Sequence, residues 1–508
     1  MKIPLDRQAS QPIYLQIRDR IQHLIRTGHL PPNSQLPSIR SLASTIKVNK
    51  LTVIEAYSVL EADGLVHAKQ GAGYFINSAE AVTSDNRADV VLSDALGERK
   101  SAAQKSDIGP YNRERFNPKQ QVILPKEGTN SFTEIYYAAI QAHDQEDTVD
   151  FSLGFPQPTG TEDLQRIARR AMKEAHVFFD QGDPKGEIAL RRQIAQLLMQ
   201  QGLDVLPESL IVTSGSMQAL ALLADHFLEK GDRVIIEAPT YHGFISVLQQ
   251  RGAQIIGIPM TSAGMNLELL SQYLESHQPK LIYTISTLHN PTGITTESAH
   301  RRQLLSLAQA HNCLIIEDNA YEPLSFEPTP PPIKAFDTSD QVIYVGTFSK
   351  TLMPGLRVGY MSVTGAQNSE ITKRKLLHDF HLSNASQAIV KEYLASGHYR
   401  RRLKKIRRLH CDCLDHMLRL LTQYLPPQVT WTVPKGGTFL WLHLPDSISL
   451  SELNRRAAAQ KVLLCAGSAF FPVQSSYPAL RLNFSLPKEA TERGIRVLGE
   501  IVDELMAD

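Results

Sequence analysis

The chain has 508 residues, of which 42% are hydrophobic and 21% are charged, and its formal net charge is +1. A chain of this length exceeds the size at which one core stops growing, so two or three domains are expected. The first residues lack an apolar core of signal-peptide length, and no apolar run approaches the roughly 20 residues that a bilayer-spanning helix needs. These features exclude a membrane-spanning class and predict a globular protein of the cytoplasm.

The charge is divided unevenly along the chain. Residues 1–77 hold nine Lys or Arg against five acids, a net charge of +4 that leaves −3 for the rest. This asymmetry is expected of a basic nucleic-acid reader attached to a near-neutral body. The four cysteines show no paired CxxC spacing, so neither a zinc site nor a disulfide framework is predicted, and no metal site is expected.

The first 77 residues carry the pattern of three helices. Apolar residues at helical spacing predict an amphipathic helix over 12–27, and a pair of prolines at 31–32 ends it. Ser38 follows a proline and is placed to cap a second helix, and a third helix is predicted over Lys50–Asp63. Because the second and third helices are separated by a tight turn, they predict a helix-turn-helix.

A hairpin and a polar stretch follow these helices. Two short β-like runs about a glycine-containing tip predict a wing over Leu65–Ile76. Apolar periodicity then disappears over residues 78–128, which is typical of a linker. The sequence thus predicts a first domain over 1–77, mostly α, and a second domain over 129–508.

The second domain shows alternating β-type and helical segments. Such alternation predicts an α/β fold with a mostly parallel sheet covered by helices. The predicted strands are Leu210–Val212, Arg233–Ile236, Leu281–Ile285, Leu314–Ile316 and Val342–Val345. From about residue 400 to 508 the pattern predicts a smaller C-terminal α+β lobe.

The most informative stretch, GTFSKTLMPGLRVGY, covers residues 346–360. It offers one amine, Lys350, on a hydroxyl-rich turn, with a cation seven residues beyond. Lys350 would form a Schiff base with an aldehyde, while Thr347, Ser349 and Arg357 would meet a dianionic phosphate by charge-assisted hydrogen bonds. The pattern therefore predicts a site for a phosphorylated aldehyde.

A second half of the phosphate site is predicted at TSGSMQAL, residues 213–220. This segment follows a strand and opens a helix, so the amides of Ser216, Met217 and Gln218 would point outward, where the helix dipole favours an anion. A glycine-serine turn before a helix is also a common cap, so this motif is informative only beside the Lys350 turn.

Four further side chains are placed to hold a pyridine ring. Asp318 follows an apolar strand at the edge where α/β sheets bind ligands, and a carboxylate there can keep a pyridinium nitrogen protonated. Asn290 and Tyr321 can donate to the phenolate oxygen of the ring, and Tyr241 can stack on its face. Each is also common as a structural residue.

The order and spacing of six motifs, GSMQAL, APTYHG, HNPTG, EDNAY, TFSKTLMPGLRVGY and ALRLNFS, resemble the fold-type I aminotransferases of class I/II, which depend on pyridoxal 5'-phosphate (PLP). The resemblance covers roughly residues 130–508. It implies PLP as the cofactor, with Lys350, Asp318 and Tyr241 as the catalytic set. The other cofactor-binding residues that it implies are Asn290, Tyr321, Ser216, Gln218, Ser349 and Arg357.

The resemblance also implies the ligand end of the site. Arg481 matches the family arginine that binds the substrate α-carboxylate in a bidentate manner, a task that lysine would do poorly. Gly154 would let the backbone approach that carboxylate closely. This chain departs from the family in having Gln181 where a tyrosine is usual and Gln157 after the glycine loop, which leaves phosphate contact across a dimer open.

Residues 12–76 resemble the GntR-type winged helix. By that resemblance the third helix would enter the major groove with its N-terminal end, where Lys50 and Thr52 face base edges or phosphates. Arg40 would reach the backbone or a guanine, and Lys69 with Gly71 on the wing would meet a neighbouring groove. Lysine at position 50 replaces a more usual arginine, so the bidentate reading of guanine is lost while the charge stays.

The combination resembles the MocR subgroup of GntR regulators. This resemblance implies a PLP-dependent transcription factor, a homodimer on double-stranded DNA with repeated half-sites, which senses an amino compound or PLP at Lys350. The alternative is an active aminotransferase whose reader only localises or autoregulates it. A basic run over 400–408, on a predicted helix of the body, is interpreted as a solvated face.

Overall fold

A computed structural model describes residues 5, 11–26, 30–69, 73–77, 147–154, 161–173, 179–472 and 477–507. The chain divides into two compact units, one of residues 1–108 with 194–204 and one of 109–193 with 205–508. The predicted linker over 78–128, Gly71 at the wing tip and Gln157 lie outside the described residues.

The first unit contains the predicted winged helix-turn-helix. Its helices are α1 (Ile13–Arg26), α2 (Ile39–Ile46) and α3 (Lys50–Ala62), and its hairpin pairs β1 (Val66–Lys69) with β2 (Gly73–Ile76) in antiparallel register. Apolar side chains from all three helices and both strands form one core. The prediction of three helices and a wing is therefore confirmed.

Local sequence explains where the reader's helices begin. The Ser38 hydroxyl accepts a hydrogen bond from the amide of Ser41 at 3.2 Å, and this bond caps α2 as predicted. The side chain of Asn49 likewise accepts the amide of Leu51 at 3.1 Å and caps α3. Both caps satisfy amides that the first turn of a helix leaves without partners.

The second unit has helices and strands in alternation through its first two thirds. Its strands there are β3 (Val149–Asp150), β4 (Leu210–Thr213), β5 (Arg233–Ala238), β6 (Gln254–Thr261), β7 (Gly264–Met265), β8 (Leu281–Thr284), β9 (Leu314–Asp318), β10 (Val342–Thr347) and β11 (Gly359–Ser362). The helices between them are α4 (Thr161–Ala171), α5 (Ile188–Gln200), α6 (Gly215–Phe227), α7 (His242–Gln250), α8 (Leu267–His277) and α9 (Ser298–Ala310). Residues 194–200 of α5 belong to the first unit.

The remaining elements form the C-terminal part. The helices are α10 (Gln367–Asp379), α11 (Asn384–Ala395), α12 (His398–Tyr424), α13 (Leu450–Ala459) and α14 (Lys488–Ala507). The strands are β12 (Thr430–Trp431), β13 (Phe439–His443), β14 (Val462–Leu463), β15 (Cys465–Ala466) and β16 (Ala479–Asn483).

The central sheet has eight strands in the order β4-β11-β10-β9-β8-β5-β6-β7. The pairs from β10 through β9, β8 and β5 to β6 are parallel, whereas β11 is antiparallel to both β10 and β4, and β7 is antiparallel to β6. The mainly parallel α/β architecture is therefore confirmed. The sequence prediction does not include β6 or β11. Strand β11 lies within the motif that is interpreted above as a cofactor turn.

The C-terminal lobe has its own antiparallel sheet, β12-β13-β16-β15, packed against α12, α13 and α14. The short strand β3 joins this lobe from far upstream, because it pairs in parallel with β14. Val149 and Phe151 lie in the same apolar core as α12 and α14. This pairing fixes the segment that leads into Gly154. Among the described residues, no helix is long and apolar enough to cross a membrane.

Candidate functional site

The predicted cofactor residues meet at one edge of the central sheet. Thr213 ends β4, Asp318 ends β9 and Thr347 ends β10, and these three strands run in the same direction. The carboxyl ends of parallel strands lie at the same edge, where such sheets bind ligands. The sheet therefore brings together residues that are more than a hundred positions apart in sequence.

Two hydroxyls and a guanidinium form the core of the phosphate cup. Thr347 Oγ1 lies 3.2 Å from Ser349 Oγ and accepts the Ser349 amide at 3.1 Å. Arg357 donates from Nη1 to Ser349 Oγ at 3.2 Å and from Nη2 to the carbonyl of Ser214 at 3.2 Å. Arg357 thus joins the turn after β10 to the start of α6, as an anion site built from both would require.

Two glycines bring the backbone of this cup together. A Cβ on Gly215 would collide with the guanidinium of Arg357, and a Cβ on Gly359 would collide with the backbone of Gly215 and the amide of Ser216. Gly215 also has a φ of +74°, which glycine adopts without strain. Helix α6 begins at Gly215, so the predicted amides of Ser216, Met217 and Gln218 lie in its first turn.

The side chain of Gln218 is hydrogen-bonded within the protein. Its Oε1 accepts the amide of Ser214 at 2.7 Å, and its Nε2 donates to Asp379 Oδ2 at 2.7 Å. Asp379 in turn forms an ion pair with Lys375, whose side chain is fully buried, with 2.9 Å between Nζ and Oδ1. The side chain of Gln218 therefore links the start of α6 to the end of α10, and its amide remains the group predicted to contact an anion.

The amine of Lys350 points at the backbone of the Gly154 loop. Its Nζ donates to the carbonyl of Gly154 at 2.8 Å and lies 5.4 Å from the ring centroid of Tyr321. Burial, and then the cations Arg481 and Arg357, lower the pKa of Lys350 to about 7. An amine with that pKa is partly neutral at physiological pH and is a competent nucleophile.

Asp318 presents one satisfied and one unsatisfied oxygen. Oδ2 accepts the hydroxyl of Tyr283 at 2.9 Å, whereas Oδ1 is buried and receives no hydrogen bond. Burial raises the pKa of Asp318 to about 6, and the hydrogen bond from Tyr283 opposes that shift. A protonated ring nitrogen could donate a hydrogen bond to this buried carboxylate oxygen.

Arg481 lies between two aromatic rings at the other side of the site. Its guanidinium carbon is 4.1 Å from the ring centroid of Phe439 and 4.9 Å from that of Phe470. Nη1 donates to Asn290 Oδ1 at 3.1 Å, and Nη2 donates to the carbonyl of Ser152. Because Oδ1 of Asn290 is held by Arg481, its amide nitrogen is left to donate, as a ring phenolate requires.

The remaining predicted residues, Tyr241 and Gly154, shape the cavity walls. The Tyr241 hydroxyl lies 3.3 Å from the sulfur of Met217, which holds the ring against the start of α6. A Cβ on Gly154 would lie 3.3 Å from the Phe439 ring and 3.7 Å from Lys350 Nζ. Glycine at 154 therefore leaves room between the amine and the ring of Phe439.

These residues fit PLP on three independent features. An amine of lowered pKa faces the site, a buried carboxylate oxygen lacks a donor, and a cationic cup closed by glycines stands between the turn after β10 and α6. PLP has an aldehyde, a ring nitrogen and a phosphate, one group for each feature. When bound, it supplies an electron sink, and the chain supplies position and charge.

Four of the predicted DNA-contact residues, Arg40, Lys50, Thr52 and Lys69, lie in described elements of the first unit. Lys50 is exposed as the first residue of α3, and Thr52 is half-buried one position beyond Leu51. Arg40 is exposed on α2. Lys69 ends β1 with its Nζ 5.3 Å from the ring centroid of Phe75. Gly71 lies outside the described residues.

Sequence reasoning missed four residues that hold the site together: Tyr283, Asp379, Phe439 and Phe470. Phe439 follows Gly436 and Gly437, and that glycine pair is a signal of a close backbone approach that could have drawn attention to it. The other three lie in segments that resemble any buried strand, helix end or loop. Gln181, the departure from the family pattern, is exposed.

Together, the fold and the site define a DNA reader of winged-helix type joined to a PLP-binding body of aminotransferase type. Residues 146–498 match the family of class I and II aminotransferases, and residues 13–76 match the gntR family of bacterial regulatory proteins. The chain belongs to the class I and II aminotransferase family, and its gntR-type reader gives it the architecture of the MocR-type regulators.

Similar proteins fall into two groups. The uncharacterized HTH-type transcriptional regulator YdfD of Bacillus subtilis is 29% identical, with 99% of each chain covered. Aromatic-amino-acid aminotransferase 1 of Thermococcus litoralis is 33% identical over 71% of this chain and 89% of that one. The structure of the α-aminoadipate aminotransferase LysN of Thermus thermophilus, complexed with N-(5'-phosphopyridoxyl)-L-leucine, is 31% identical, covers 73% of this chain and 95% of LysN, and has a TM-score of 0.69.

The cofactor of this protein is PLP, because class I and II aminotransferases depend on it and the residues present fit it.

Proposed function

We propose that the protein is a transcriptional regulator that binds double-stranded DNA through its winged helix and senses an amino compound bearing a carboxylate at the PLP site. One observation carries the proposal. Lys350 and Arg481 both donate to the loop at 152–154, so the amine that would bind the cofactor aldehyde and a guanidinium that suits a carboxylate lie at one short segment. An α-amino acid carries an amino group for the first and a carboxylate for the second.

The role of each cofactor residue is part of this proposal. Lys350 binds the aldehyde, Asp318 accepts from the ring nitrogen, and Asn290 and Tyr321 face the phenolate oxygen. Tyr241 covers the ring. The phosphate is held by Thr347, Ser349, Arg357 and the first-turn amides of α6. Arg481 and the backbone at Gly154 receive the carboxylate of the effector, and the amino group of the effector competes with Lys350 for the aldehyde.

DNA contact is proposed for Arg40, Lys50, Thr52, Lys69 and Gly71. Arg40, Lys50 and Lys69 are exposed on α2, at the start of α3 and at the end of β1, as a helix-turn-helix with a wing would need. The start of α3 adds the positive end of a helix dipole, which favours phosphate. A bacterial regulator that binds chromosomal DNA is located in the cytoplasm, and we propose that location for this protein.

A homodimer is proposed because the body has an exposed apolar patch. Phe179 and Leu377 are each 86% exposed and Phe380 is 72% exposed. Asn384, at the start of α11, donates from Nδ2 to the carbonyl of Asp180 at 2.8 Å, so the residue after Phe179 contacts the start of α11. Exposed apolar side chains of this size are typical of an interaction surface. A second copy would cover them and would provide the second reader that repeated half-sites require.

Operator binding tests the proposal. Full-length protein loaded with PLP is titrated onto DNA from its own upstream region, with and without each of a panel of amino acids, ω-amino acids and taurine-like amines. The proposal expects one compound to change the affinity for DNA by at least about fivefold, the size of an ordinary allosteric coupling. If no compound in the panel does so and PLP itself is without effect, effector sensing fails.

A second function, PLP-dependent transamination, is favoured by the completeness of the site. The pKa of the Lys350 amine is lowered, Asp318 is a buried carboxylate and Arg481 can bind a carboxylate. The similar proteins also include aminotransferases. Incubation with amino-acid and keto-acid pairs, followed by product analysis, separates the two functions. Brisk turnover without any effect on DNA affinity would favour the enzyme. A DNA response to PLP alone would make the cofactor itself the signal.

A further inference from the structure

The hydroxyl of Tyr283 is directed at the carboxylate that faces the cofactor ring. Tyr283 lies on β8, beside β9, and donates to Asp318 Oδ2 at 2.9 Å. Its ring is fully buried and packs against Phe244, with ring centroids 4.4 Å apart. Because the sheet and this packing fix the ring, the hydroxyl has one position, and it determines which oxygen of Asp318 is satisfied.

The carboxylate of Asp318 is surrounded by groups of opposing effect. The ionised form is favoured by Tyr283 from β8, then by the backbone amide of Ala320 and by Lys350 from the turn after β10, whereas burial and Glu237 from β5 favour the protonated form. Tyr321 also lies within electrostatic reach of Asp318. Burial dominates, and it raises the pKa of Asp318 to about 6. Without Tyr283 the carboxylate would be protonated at a still higher pH.

We infer that Tyr283 is a positioning residue for the cofactor: its hydroxyl holds Oδ2 of Asp318 and so would leave Oδ1 to the ring nitrogen of PLP. Tyr283 acts through Asp318, so it is a positioning residue and not a catalytic one. This assignment rests on PLP as the cofactor and is independent of whether the protein senses an effector or turns one over.

A structural role is the competing account, since a buried tyrosine hydroxyl needs an acceptor wherever it lies. Tyr344 provides a matched control within the same sheet. It is also buried on a strand, β10, and its hydroxyl donates to a buried acid, Glu322 Oε2, at 2.8 Å. Tyr344→Phe removes a hydrogen bond of the same kind without altering Asp318.

The test is the affinity of the full-length protein for PLP between pH 5 and 9, followed by the visible absorbance of the lysine-bound cofactor. Ionised Asp318 is needed for tight binding, so affinity falls as pH falls through its pKa. In Y283F that pKa is higher, so the loss begins at a higher pH. We expect the midpoint to move up by about one pH unit, so that the dissociation constant rises about twofold at pH 7 and about tenfold at pH 5.

The controls separate positioning from packing. Lys350 and the cofactor phosphate titrate in every variant, so the difference between variants is the informative quantity. Y344F is expected to keep the wild-type midpoint even if its melting temperature drops. In the D318N background, Y283F should add little, because the two residues act in series. Wild-type affinity and midpoint in Y283F, or an equal effect of Y283F with and without D318N, would overturn the assignment.

Folding of Y283F is checked first by circular dichroism and thermal melting of the protein without cofactor. Should Y283F not fold, Y283H carries the test because its imidazole keeps a ring donor. The assignment then expects PLP affinity within about threefold of wild type and a midpoint no higher than that of wild type, because a donor to Asp318 is retained. A raised midpoint or an about tenfold weaker affinity in a folded Y283H overturns it.

Discussion

Arg402 Nε donates to the carbonyl of Thr351 at 2.9 Å, one residue beyond Lys350, and its Nη2 donates to the carbonyl of Leu352 at 3.1 Å. Arg402 lies in the first turns of α12, where Tyr399 also bonds the hydroxyl of Thr351 at 2.9 Å. The longest helix of the body is therefore attached directly to the turn that carries the amine. A movement of the turn at 350–352 when the ligand changes would therefore displace the first turns of α12.

Arg402→Gln is expected to weaken the coupling between effector and DNA while leaving PLP bound. The substitution removes the two bonds to backbone carbonyls and a contact with Tyr393, and none of these partners belongs to the phosphate cup. The change in DNA affinity on adding effector should shrink by several fold, within the range that a coupling free energy of about 1–3 kcal/mol allows. Arg401→Gln, an exposed neighbour on α12, is the control. Undiminished coupling in R402Q would contradict a role for this contact.

Lys350 is expected to bind the aldehyde of PLP with a pH dependence set by its own amine. Since the pKa of Lys350 is lowered to about 7, the reactive neutral form is lost as pH falls through that value. Loading should therefore be slower at pH 6 than at pH 8. Borohydride reduction and mass spectrometry should find a pyridoxyl adduct at Lys350, and Lys350→Ala should remove it. An adduct elsewhere, or none in the wild type, would refute the assignment, with Lys373→Ala as the surface control.

Arg357→Ala should discriminate between cofactors with and without a phosphate. Removing the guanidinium deletes a charge-assisted contact worth roughly 1.5–3 kcal/mol, or about 10- to 100-fold in PLP affinity. Binding of pyridoxal, which lacks the phosphate, should change little. The comparison uses fluorescence titration with both compounds, and Arg496→Ala on the surface is the control. Equal losses for PLP and pyridoxal would mean that Arg357 acts on the fold rather than on the phosphate.

Arg481 should select for a carboxylate in the effector. In Arg481→Lys the positive charge remains but the planar fork is lost, so affinity for a carboxylate effector should fall by roughly tenfold or more. The corresponding amine without a carboxylate should be affected little. PLP affinity, measured in the same samples, reports whether Asn290 has moved. A variant that binds both amines as the wild type does would place the carboxylate elsewhere.

Lys50→Ala should weaken DNA binding nearly equally across operator sequences. A lysine that contacts phosphate releases counterions, so its loss should reduce the slope of log affinity against log salt by about 1. Thr52→Ala should instead change sequence preference if Thr52 faces a base edge. Lys230→Ala, an exposed lysine of the body, serves as the reference. An unchanged salt slope in K50A would argue against α3 as the groove helix.

The sequence pattern indicated the candidate cofactor residues but not the side chains that contact them, such as Tyr283. Lys350, Asp318 and Asn290 stand in motifs whose residue types have a chemical reason, and strand ends of a parallel sheet must meet, so their convergence follows from the pattern. Tyr283 could not be found in this way. It occurs in the strand LIYT, and whether its hydroxyl faces a carboxylate depends on the register between β8 and β9, which sequence does not reveal.

The same limit applies to elements. Strand β11 was missed because Gly359 and Tyr360 belong to the cofactor motif, and an antiparallel strand inserted between two parallel ones leaves no periodic signal. Asp379 was missed because its partner, Gln218, lies 161 positions away. Long-range side-chain contacts of this kind are decided by tertiary packing and not by local propensity.

The ladder between β10 and β11 is closed at Thr347 and Gly359, and the loop that it bounds contains both Lys350 and Arg357. The sheet therefore presets the spacing between amine and guanidinium before any small molecule arrives. Every residue assigned to the cofactor lies between 154 and 481, within the second unit. The vitamin-binding chemistry is therefore separate along the chain from the predicted DNA-contact residues, all of which precede residue 77.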